Sequence, residues 1–102
     1  MVAIMGKVSA HLKSLGFRNL KIKGMRIFVP WDDPGWEKFQ GKDPIGDALG
    51  KEIERFLKNS DYGIEVLQKE RIDNYAEDPS KYPNQNTNER VLLGFDLLIK
   101  RK

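Results

Sequence analysis

Apolar residues along this chain switch between two spacings, and the order of the switches most constrains the fold. Met5, Val8, Leu12 and Leu15 recur every third or fourth residue, which puts them on one face of a helix over residues 6–16. Residues 19–30 alternate instead, the period of a half-buried hairpin, and 62–72 and 89–100 read as two further strands. In the middle, Ile45, Leu49, Ile53, Phe56 and Leu57 return to the helical period. The order is helix, strand, strand, helix, strand, strand. Consecutive elements tend to be spatial neighbours, so the expected fold class is α+β, a single antiparallel sheet of about four strands with two helices on one face. This is the order of a ferredoxin-like βαββαβ fold with its first strand moved to the end. If Val2 to Met5 form a strand, the chain is instead close to an unpermuted version with one strand added.

Local signals sharpen the outline. Gly16 is placed to end the first helix in a left-handed conformation, with Phe17 supplying the apolar contact that follows such a stop. Lys23-Gly24 reads as a two-residue hairpin turn, so that Ile22 faces Met25, Lys21 faces Arg26 and Leu20 faces Ile27. One hairpin face is then apolar (Leu20, Ile22, Met25, Ile27, Val29), and the other carries Asn19, Lys21, Arg26 and Phe28. Asp43 and Pro44 suit the N-cap and first position of the second helix. The expected core is Val8, Leu12, Leu15, Leu20, Ile22, Ile27, Val29, Leu49, Ile53, Phe56, Ile64, Val66, Leu93, Phe95 and Leu97. Long loops are expected at 30–43 and 73–88, the second extended and mobile, within one domain spanning 1–102.

Composition excludes whole classes of chemistry. With no cysteine there is no disulfide, thiol nucleophile or thiolate metal site, and with His11 as the one histidine there is no multi-histidine site within a chain. No apolar run approaches the roughly 20 residues that span a bilayer, and no leader pattern is visible, so the expected location is cytoplasmic, in a cell or an infected host cell. The net charge of +3 is unevenly spread. Residues 1–31 hold Lys7, Lys13, Arg18, Lys21, Lys23 and Arg26 and no acid, whereas 32–54 are rich in Asp and Glu.

The spacing of the polar residues fits none of the common catalytic constellations. Gly35 and Gly41-Lys42 do not have the phosphate-loop interval, and Asp43 stands where a magnesium-binding hydroxyl belongs. Ser9 and Ser14 flank His11 on a helix without a nucleophile elbow. Asp32, Asp33, Glu37, Glu65 and Asp96 are scattered carboxylates, and the adjacent pair in a Pro/Gly segment reads as turn-forming. No catalytic residue, metal ligand or cofactor is assigned. Leu12 to Phe17 and Lys23 to Val29 resemble the start of HicA-type messenger-RNA interferase toxins, where a helix ends in Gly-Phe and leads into a glycine-turned hairpin. The catalytic histidine of that family follows the glycine. Met25 and Arg26 stand there here, so the activity does not carry over.

Two functions remain, and the first is preferred. One is a non-catalytic protein-interaction module, a homodimer or a small inhibitor docking on a larger protein. Its motive is apolar residues expected on the wet side, Phe28, Leu67, Leu92 and Leu98, with Trp31, Trp36 and Phe39 as aromatic anchors. The second is nucleic-acid binding through the basic hairpin face, with Lys21, Lys23, Arg26 and Phe28 at its centre and Lys7 and His11 as phosphate contacts.

Overall fold

The computed structural model describes residues 3–74 and 88–102, and side chains for 3–71 and 91–102. Helix α1 (Ala3–Ser14) leads into a hairpin of β1 (Lys21–Lys23) and β2 (Arg26–Pro30). A 3-10 helix (Pro34–Phe39) and helix α2 (Ile45–Phe56) follow, then the long strands β3 (Tyr62–Asn74) and β4 (Asn88–Arg101). The strands form one antiparallel sheet in the order β1-β2-β4-β3. The α+β class is thus established, while the ferredoxin-like label remains a sequence expectation. Ala3 to Met5 are helical, which removes the variant with an added N-terminal strand. The segment between Asn74 and Asn88, expected as a mobile loop, lies outside the described residues.

Both helices bury onto the same sheet face. Met5, Val8 and Leu12 of α1 and Leu49 and Ile53 of α2 meet Ile27, Val29, Phe95, Leu97 and Ile99 in a single cluster. Each such side chain contributes about 1.5–3 kcal/mol when fully buried. Gly46 and Gly50 let α2 come close: a Cβ at Gly46 would lie 2.6 Å from the Phe95 ring, and one at Gly50 would lie 3.0 Å from Val66. Helix α1 stops as its sequence predicts. Gly16 has φ +109, its N–H donates to the Lys13 carbonyl, and the Phe17 N–H donates to the Leu12 carbonyl at 3.2 Å. That pair of bonds is the Schellman motif, and Phe17 is buried beneath it.

Three local expectations are corrected. The hairpin pairs Lys23 with Arg26, Ile22 with Ile27 and Lys21 with Phe28, so the turn is Gly24-Met25. Gly24 has φ +60, and glycine at the first central position is what a II′ turn demands. Ile22 still shares the helix-side face with Ile27, but on a three-residue edge strand it stays 39% exposed. In α2, Pro44 has the extended ψ of 137° and occupies the N-cap, so the helix opens at Ile45 and Asp43 stands outside it; the Asp43–Pro44 bond is cis. At the other end Leu57 takes the buried place, and Phe56 lies 40% exposed against His11.

The third correction is a bulge. Lys69 pairs with Gly94 but Glu70 pairs with Leu92, leaving Leu93 as an extra residue on β4. One extra residue reverses the alternation. Leu92, expected outward, packs on the core, and Leu93, expected in the core, is 38% exposed on the opposite face.

Candidate nucleic-acid interface

The 30–43 connection decides which sheet face is open. Trp36 and Phe39 are not surface anchors: they are 2% and 4% exposed, packed with Phe17. The Trp36 ring also meets Phe95, a core-face residue of β4, at a centroid distance of 5.1 Å, and its Nε1–H donates to the Pro30 carbonyl. Trp31 flanks the same group at the surface, 5.5 Å from the Trp36 ring. The connection therefore adds to the helix-side core instead of folding over the far side of the sheet.

Asp33 anchors this arrangement. Its buried carboxylate accepts from the backbone N–H groups of Arg18, Asn19 and Gly35, tying the connection between α1 and β1 to the start of the 3-10 helix. Both carboxylate oxygens are occupied by backbone donors, a capping role. Among the described residues, no group of three metal-ligating side chains is assembled.

On the sheet face away from the helices, the register lays out two rows. One runs Lys21, Phe28, Asp96, Leu67 and the other Lys23, Arg26, Leu98, Glu65. Lys69 and Lys100 lie on the same face, at the positions beside Gly94 and next to Glu65. Among the described residues nothing packs over these rows. A shallow groove of about 420 Å³ crosses them, lined by Lys21, Lys23, Arg26, Phe28, Lys69, Leu93 and Asp96.

The charges on this face are sorted. Lys69 pairs with Asp96 at 3.5 Å, and Lys100 donates to Glu65. Both carboxylates of the rows are thereby matched to lysines from β3 and β4. The three cations of the hairpin, Lys21, Lys23 and Arg26, have no carboxylate within ion-pair reach among the described residues. Lys23 and Arg26 are directly opposed across the hairpin, a like-charge placement that weakens strand pairing.

Phe28 is held between these cations by a glycine. Gly94 has φ +155, and a Cβ there would lie 2.8 Å from the Phe28 ring and 2.3 Å from the Val29 carbonyl oxygen. The ring thus rests directly on the backbone of β4, and its half-buried state comes from that seat.

The expected site residues separate into groups. Lys21, Lys23, Arg26 and Phe28 are brought together, with Leu67 and Leu98 beside them. Lys7 and His11 are not: both sit on α1, in the helical layer on the other side of the sheet. The His11 ring stacks on Phe56 at 4.3 Å, and its Nε2 lies 3.3 Å from Glu52 Oε1, so it links α1 to α2. Leu92, Trp36 and Phe39 belong to the core side. Leu93 and Lys69, which line the groove, were missed, and no sequence signal marked the bulge that puts Leu93 there. No protein family, curated protein or solved structure matches this chain.

Proposed function

We propose that this protein binds single-stranded nucleic acid across the open sheet face, with Lys21, Lys23 and Arg26 contacting phosphates and Phe28 stacking on a base. The observation that carries this reading is the hairpin itself: three cations with no acidic partner among the described residues surround an aromatic ring on a sheet face that no other described element covers. Phosphates relieve the repulsion between Lys23 and Arg26, and every base offers a π face to Phe28. The competing protein-interaction reading is weakened on this face, because Leu92, Trp36 and Phe39 are turned to the core.

Fluorescence anisotropy with labelled single-stranded oligonucleotides over a salt series tests the proposal. Each phosphate contact contributes about −0.7 to the slope of log K against log salt, so three contacts give a slope of about −2. Replacing Lys21, Lys23 and Arg26 together with Ala should abolish most of that slope. Phe28→Leu keeps an apolar cover over Gly94 but removes the π face, and should weaken binding by about 1–3 kcal/mol at unchanged slope. Absence of binding at low salt, or a slope indifferent to the triple substitution, contradicts the reading.

A further inference from the structure

We propose that a second copy of this chain pairs antiparallel along the outer edge of β3, with Leu67 on the two-fold axis, joining two sheets into one continuous sheet. The two edges of the sheet are unlike. The β1 edge is three residues long, a common way of blunting an edge. The β3 edge is 13 residues long, contains no proline, and has no strand on its far side among the described residues. The bulge between β3 and β4 is on β4, so β3 itself is regular through its length. Over Tyr62–Glu70, the part centred on Leu67, an edge of this kind offers outward N–H and C=O groups that template another strand.

The side chains select the partner. About a two-fold axis through Leu67, Glu65 of one copy lies opposite Lys69 of the other, twice over, which would join the Glu65–Lys100 and Lys69–Asp96 pairs of each copy across the seam, and Leu67 meets Leu67. Opposite charges and apolar pairs at facing positions both favour cross-strand pairing. Among the described residues, Leu67 is the most exposed of the large apolar side chains at 45%. The same edge is open on the helix side. Ile64 and Val66 are half-buried beside a groove bounded by Asp47, Lys51 and Glu54 of α2, and a partner strand would close it. An isologous contact of this kind is self-limiting, because pairing uses the long edge of each copy and leaves only the short β1 edges outside. The proposal stands on the β3 edge and does not rest on the nucleic-acid reading, but Lys69 belongs to both, since it also lines the groove on the open face.

The absence of cysteine makes the test direct. In Leu67→Cys the single thiol faces its twin at a Cβ separation of about 4.5–5.5 Å, so mild oxidation should give a covalent dimer far faster than in Lys13→Cys, on the exposed side of α1. Light scattering over a dilution series should show the parent at twice the chain mass. Glu65→Lys and Lys69→Glu should each run as monomers with unchanged far-UV circular dichroism, and an equimolar mixture should restore the dimer mass. A parent that stays at one chain mass throughout, equal cross-linking of the two cysteine variants, or a mixture that remains monomeric overturns the proposal.

Discussion

Asp33 is the residue on which most of the loop architecture converges. A carboxylate beside proline and glycine reads as a turn former, and the sequence placed it there, but three backbone donors from two segments meet on it. Removing a buried acceptor leaves donors unsatisfied at about 1–3 kcal/mol. Asp33→Ala is therefore expected to lower stability by about 2 kcal/mol, which is a fall in Tm of about 10 °C for a domain of this size. Asp33→Asn keeps one accepting oxygen and should fall between the two. Thermal unfolding by circular dichroism reads both. Gly94 is the second such position. A side chain there collides with the Val29 carbonyl oxygen and adopts a backbone conformation that L residues rarely take, so Gly94→Ala should cost about 1–3 kcal/mol. It should also unseat Phe28 and weaken oligonucleotide binding beyond the loss of stability.

At the scale of elements, periodicity was a good guide wherever a stripe or alternation ran unbroken. The stripe Met5, Val8, Leu12 and the Gly16-Phe17 stop are found as read, because helix spacing and the stop chemistry are local. The two-residue turn was placed one position early, since both Lys23-Gly24 and Gly24-Met25 satisfy a glycine turn and only the sheet beyond chooses between them. The bulge could not be read at all. Val91-Leu92-Leu93 is apolar throughout, so no residue type marks where the alternation reverses. This gives a direct check. Leu93→Lys should change stability by less than about 0.5 kcal/mol, as surface substitutions do. Leu92→Lys should cost about 2 kcal/mol or more, because it forces a charge against the core. Urea unfolding of both variants distinguishes the observed register from an unbulged one, which reverses the order. The aromatic loop was legible as a loop and not as a core, because Trp36 and Phe39 are placed by contacts with Phe17 and Phe95, far away in sequence.

At the scale of the whole molecule, the helices and the aromatic connection crowd one face of the sheet, and among the described residues the other face is left to its own side chains. Among the described residues, no helix is long and apolar enough to cross a membrane. The candidate site was half visible beforehand: Lys21, Arg26 and Phe28 share a face under either hairpin register, because moving the turn by one left their parity unchanged. Lys23 joined them only once the turn moved to Gly24-Met25. The pairing of Asp96 with Lys69 and of Glu65 with Lys100, which leaves the hairpin cations unmatched among the described residues, depends on the sheet order and was invisible in one dimension. The claim that this open face binds a single strand is tested most directly by amide chemical-shift mapping with a short single-stranded oligonucleotide at low salt. Shift changes are predicted to cluster on Lys21, Lys23, Arg26, Phe28 and their β4 neighbours Asp96 and Leu98, and to fade as salt is raised. Changes confined to α1 and α2, or none at saturating oligonucleotide, would contradict it.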